Sequence, residues 1–92
     1  MTIEFLRAYG VTLRANPPIE LGVNDVDLKW SFVDLDLDIG IVANSRDELA
    51  REIQEWIVHD WQAFALADPD TLSPAARVLR STLLARFTEV TT

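Results

Sequence analysis

The sequence predicts an α+β fold: a small antiparallel sheet of three to four strands, then two consecutive helices packed as a hairpin on one face. Three observations predict it. Up to Ala43 apolar residues recur at every second position, the spacing of a strand with one wet face; beyond it they recur about every 3.6 residues. Ser45 and Ser73 stand where helix N-caps belong. Strands gathered ahead of helices, instead of alternating with them, give the α+β order. At 92 residues the chain is a single domain, with strands over 1–43 and helices over 45–67 and 73–88.

The first segment fits two periods. Ile3 and Phe5 suit a strand, while Phe5, Leu6 and Tyr9 suit a helical face; the strand is preferred. Val11, Leu13 and Ala15 alternate with Thr12 and Arg14, and Asn16-Pro17-Pro18 is expected to end that strand, since proline donates nothing to a ladder. Ile19 to Val23 alternates again, and Asn24-Asp25 reads as a turn. Leu28, Trp30 and Phe32 share one face opposite Lys29 and Ser31. A further alternating set, Leu35, Leu37, Ile39 and Ile41, is opposed by Asp34, Asp36, Asp38 and Gly40.

The helices carry clearer punctuation. Ser45-Arg46-Asp47-Glu48 is a capping box, and its two acids suit the positive end of the helix dipole. Leu49, Ile53, Trp56, Ile57, Trp61 and Phe64 then fall on one broad side. The helix should end near Ala67, because Asp68 precedes Pro69. Ser73-Pro74 opens the second helix, whose apolar stripe is Leu72, Ala76, Leu79, Leu83 and Phe87.

Composition excludes several classes. With 49% hydrophobic residues and three tryptophans, the chain has ample apolar surface to bury and is not disordered. Fifteen acids against eight bases give a net charge of −7, which opposes direct nucleic-acid binding. The absence of cysteine removes disulfides, thiolate metal sites and thiol nucleophiles, and fits a reducing cytoplasm. No apolar run approaches ~18 residues, and Met1–Gly10 carries Glu4 and Arg7, so neither a membrane span nor a secretion leader is expected. There is no Gly-x-Ser-x-Gly, phosphate-binding glycine loop or His-Glu-x-x-His, and the single histidine, His59, has no marked nucleophile beside it. No enzymatic activity and no cofactor or metal are expected.

The polar features that remain point to contacts. Asp34, Asp36 and Asp38 on one strand would form a carboxylate row, roughly 7 Å apart at ~3.3–3.4 Å per residue, facing water or a protein partner. Trp56 and Trp61 lie about 140° apart on the helical wheel, so one belongs at a rim, where tryptophan serves as an interface anchor. Asp60 and Arg80 interrupt the two apolar stripes at positions that face each other in an antiparallel helix pair, which predicts an ion pair fixing the register of the hairpin. The alternative leaves Asp60 beyond the sheet edge, facing water or a partner. Charge is also polarised along the chain: the acids gather at 34–38 and 47–55, while 71–88 carries Arg77, Arg80 and Arg86 and no acid.

From Leu28 to Ala43, then Ser45 to Trp56, the chain resembles the HicB-like antitoxins, in which an aromatic, acidic, Leu/Ile-Gly hairpin leads into an acidic amphipathic helix. Trp61, Phe64, Asp68, Leu72 and Ala75 extend the resemblance, which covers roughly residues 27–75. It implies a truncated ribonuclease H-like sheet without nuclease residues. It also implies a cytoplasmic antitoxin that binds and neutralises a small, basic ribonuclease toxin, and the acidic composition suits such a partner. The residues alone leave two alternatives: a self-associating module that dimerises through its open sheet face or tryptophan rim, and an acidic inhibitor or immunity protein whose carboxylates mimic nucleic-acid phosphates.

Overall fold

The computed structural model describes residues 2–23 and 29–90. Six strands and two helices follow one another as β1 (Thr2–Ala8), β2 (Val11–Glu20), β3 (Gly22–Val23), β4 (Trp30–Asp34), β5 (Ile39–Ala43), α1 (Arg46–Asp60), α2 (Pro74–Arg86) and β6 (Phe87–Glu89). The first segment is therefore a strand. The expected Asn24-Asp25 turn and the facing of Leu28 lie outside the described residues.

The fold class is α+β, but the strands form two antiparallel sheets of three, ordered β1-β2-β6 and β3-β4-β5, where one sheet was expected. The cause is the long run from Val11 to Val23, which breaks at Leu21 and passes from the centre of one sheet to the edge of the other. Pro17 and Pro18 do not end β2. They lie where the β1–β2 register shifts between Ile3 and Phe5, a bulge at which a missing N–H costs no ladder bond, and the Asn16–Pro17 peptide is cis. The β1–β2 hairpin closes on Tyr9 and Gly10, with φ of 52° and 76°, the two left-handed residues of a type I′ turn.

Asp34, Asp36 and Asp38 do not form a strand face. Asp34 ends β4, and residues 35–38 make the turn into β5, with the amide of Asp38 donating to the Leu35 carbonyl at 3.3 Å. Alternation in this stretch is as compatible with a turn as with a strand, and Asp34 decides the matter: its Oδ1 accepts from the amides of Asp36 and Leu37, both at 3.1 Å.

Ser45 caps α1, its hydroxyl accepting from the Glu48 amide at 3.1 Å, and the helix continues past Asp60 as a π-helical segment, Trp61–Ala65, before ending at Leu66. Ser73 caps α2 in the same manner, through the Ala76 amide at 3.2 Å. Helix α2 is shorter than expected. Phe87–Glu89 extends and pairs with Leu13–Ala15 of β2, so Phe87 enters the core from a strand.

The predicted Asp60–Arg80 ion pair is absent. Wider turns through the π segment rotate the end of the first helix away from ideal spacing, and α2 packs on that segment and on β2 and β6. Arg80 instead donates from Nε to the Ala67 carbonyl at 3.2 Å, and Arg77 donates to the Pro69 carbonyl at 2.8 Å. Both satisfy carbonyls in the turn between the helices.

One core lies between the helices and the inner faces of both sheets. Leu6, Leu13, Leu49, Ile53, Ile57 and Leu83 are fully buried, each contributing about 1.5–3 kcal/mol. Val33 and Val42, on the opposite face of the β4–β5 hairpin, are exposed.

Candidate functional site

The main concavity is an open groove of about 730 Å³ lined by Tyr9, by Gly40, Ile41 and Val42 of β5, and by Glu52, Glu55, Trp56, His59 and Asp60 of α1. Helical spacing builds one wall. Residues 52, 55, 56 and 59 stand at i, i+3, i+4 and i+7, so they share a flank of α1 beside the face that Leu49, Ile53 and Ile57 bury. The other wall is β5, the outer strand of its sheet, paired with β4 on one side only. The β1–β2 turn adds Tyr9 to the lining, an exposed aromatic at a left-handed turn position that glycine or asparagine normally fills.

Of the two tryptophans, Trp56 is the one at a rim, 40% exposed in this groove. Trp61 is not a contact residue. It is 5% exposed, and its indole N–H donates to Glu89 Oε1 at 3.1 Å, tying the π segment to β6. Asp34 is likewise withdrawn from contact: Arg86 Nη1 donates to its Oδ2 at 2.6 Å, joining the β4–β5 turn to the last turn of α2. Asp36 and Asp38 remain exposed on the turn.

Asp60 lies at the groove's inner corner. Burial pushes its carboxyl above the usual value of 3.8; the neighbouring His59 and the Trp56 indole N–H pull the other way, and the Asp38 carboxylate adds to the upward push. His59 Nδ1 is 3.5 Å from Asp60 Oδ1. Glu52 and Glu55 form no ion pair among the described residues. No three described His, Asp or Glu side chains converge as metal ligands, and no described helix is long and apolar enough to cross a membrane.

Chemically, the groove offers acceptors, an aromatic face and a free strand edge. The sequence held signals for part of it: Glu52, Glu55, Trp56 and His59 recur at helical spacing, and Ile39–Ala43 carries no charge. Tyr9 was beyond sequence reasoning, because its place at the groove depends on how the β1–β2 hairpin sits against α1. Comparison of the chain with protein-family models, curated proteins and solved structures finds no match.

Proposed function

We propose that this protein is a non-enzymatic interaction domain that binds and neutralises a small, basic protein, in the manner of a cytoplasmic HicB-like antitoxin acting on a ribonuclease toxin. The observation that carries the reading is the groove, where Glu52, Glu55 and Asp60 surround the exposed Trp56. An exposed tryptophan beside carboxylates, of which Glu52 and Glu55 have no ion pair among the described residues, fits a cationic partner surface, because the indole face and the acids both attract lysine and arginine. The resemblance gains support from the order of elements: the segment from Trp30 to Asp60 is a hairpin followed directly by a serine-capped acidic helix. On this reading the sheets are a reduced form of a ribonuclease H-like fold.

Native pull-down of the full chain, with mass spectrometry and growth assays on the captured protein, tests it. A small basic protein that arrests growth alone but not when co-expressed is the expected outcome. Its capture should weaken with salt and with the Glu52→Lys/Glu55→Lys double variant. Equal capture by that variant refutes the reading. A second reading, homodimerisation, draws on Val33 and Val42, exposed together on the outer face of β4–β5. Sedimentation at ~50–100 μM decides it, since a soluble dimer tight enough to matter would be populated there.

A further inference from the structure

Strand edges differ in how well they are guarded; among the described strands β5 offers the longest edge without a guard, since β3, the other edge of its sheet, is only two residues long. Natural sheets blunt an open edge with charge, proline, bulges or a covering element. Strand β1 has such protection: it carries Glu4 and Arg7, its register is broken by a bulge, and Gln54 Oε1 accepts the Arg7 amide at 3.0 Å. Strand β6 is three residues long and includes Glu89. Strand β5, Ile39-Gly-Ile-Val-Ala43, has no charge and no proline, and it pairs with β4 in unbroken register from Asp34↔Ile39 to Trp30↔Ala43. Among the described residues no side chain hydrogen-bonds to its backbone. Alternate residues of an outer strand direct their N–H and C=O groups away from the sheet, and the residues of β5 that border the groove are Gly40, Ile41 and Val42.

Charge selects what can use that edge. The wall opposite carries Glu52, Glu55 and Asp60, and the whole chain carries −7. A second copy adding its own β5 would bring two acidic walls together, which electrostatics opposes. A basic strand meets no such penalty.

We infer that the groove takes up an extended, basic segment of the partner protein as a strand added to β5, with a lysine or arginine side chain laid over Trp56 beside Glu52. This rests on the interaction-domain reading and specifies its mode. Backbone bonds to β5 supply affinity; the aromatic and acidic wall reads alternate side chains. Tyr9 adds a second exposed aromatic to the lining of the slot.

The test is an NMR titration of the full chain with a synthetic peptide of alternating threonine and lysine long enough to span β5, against its threonine–glutamate counterpart. Expected are saturable shifts with the basic peptide only, slowed hydrogen exchange at alternate β5 amides, and at least about tenfold weaker binding for Glu52→Lys/Glu55→Lys. That variant changes exposed or half-buried positions, and its unchanged spectrum away from α1 reports that it is folded. No binding, binding without β5 protection, or equal binding of the acidic peptide overturns the inference. Protection of β5 without peptide, rising with protein concentration, also overturns it, in favour of a second copy. A captured basic partner that depends on Glu52 and Glu55 but leaves β5 exchange unchanged removes the strand-addition mode and leaves the interaction-domain reading standing.

Discussion

Replacing Asp34 with alanine should cost far more than replacing Asp36, although the sequence gives both the same standing. Asp34 holds its own turn through two amide bonds at 3.1 Å, and it receives Arg86 Nη1 at 2.6 Å. One amide bond is exposed and the other part-buried, and each is set at the low end of the net range, about 0.5 kcal/mol. The ion pair is more withdrawn, with side chains 16% and 25% exposed, and a charge-assisted bond discounted for that exposure contributes about 1.5 kcal/mol. The total is about 2.5 kcal/mol, a fall in Tm of roughly 10–20 °C for a domain of this size. Asp36→Ala should stay within about 0.5 kcal/mol of the parent. Urea unfolding of Asp34→Ala, Arg86→Ala and the double variant, at constant m, gives the cycle, with an expected coupling of about 1–2 kcal/mol. Equal losses for Asp34→Ala and Asp36→Ala, or a coupling near zero, would refute a structural role for Asp34 and return it to the candidate contact residues.

Four further outcomes are expected. Because burial raises the Asp60 carboxyl above 3.8, the folded state binds its proton more tightly than the unfolded state does; the associated stability is complete below 3.8 and is lost as pH rises through the folded value. Asp60→Asn should therefore gain in Tm over the parent as pH rises from about 4, reaching a plateau, and a difference independent of pH would contradict this. Trp61→Phe keeps an aromatic six-membered ring but drops the bond to Glu89 and leaves space where the pyrrole ring stood, and urea midpoints should show a loss of at least about 1 kcal/mol. Ser45→Ala removes the cap on the Glu48 amide and should lower stability by about 1 kcal/mol, with the loss visible in far-UV circular dichroism melting. Tyr9→Asn relieves a bulky residue of its left-handed backbone and should stabilise the chain by about 0.5–1 kcal/mol, while weakening binding of the basic peptide.

Local grammar was legible where one residue decides local structure. Ser45 and Ser73 cap helices because a hydroxyl ahead of an apolar period has a near-unique use, and both appear as read. The failures share a different cause. Phe87 continues the stripe of α2 at helical spacing, yet it leaves the helix because a distant partner, Ala15 of β2, offers backbone pairing that no local period encodes. Pro17 and Pro18 stay inside β2 because the opposing β1 strand is one that shifts register there. The Asp60–Arg80 pairing assumed two ideal helices, and the π segment after Asp60 breaks that assumption. Trp56 and Trp61 both stand among the candidate contact residues in the sequence, with one expected at a rim; which one depends on the same π segment and on Glu89, and Trp61 is the buried one.

The acidic excess was visible in the sequence, and its location was not. Along the chain it pointed to the aspartates at 34–38, opposite a basic stretch at 71–88. In the fold the two regions meet at one point: Arg86 pairs with Asp34, while Arg77 and Arg80 turn to the Pro69 and Ala67 carbonyls. The aspartate with the strongest partner is thus the least able to attract another. Beside the groove, the flank of α1 carries Glu52 and Glu55 with no ion pair among the described residues. That flank stands beside the longest edge without a guard among the described strands. An edge that attracts any strand is a liability on a neutral protein; beside an acidic wall it becomes selective, because segments that are not basic are repelled or unrewarded. On the proposed reading the same carboxylates would oppose β5-to-β5 pairing of two copies and draw a cationic partner in.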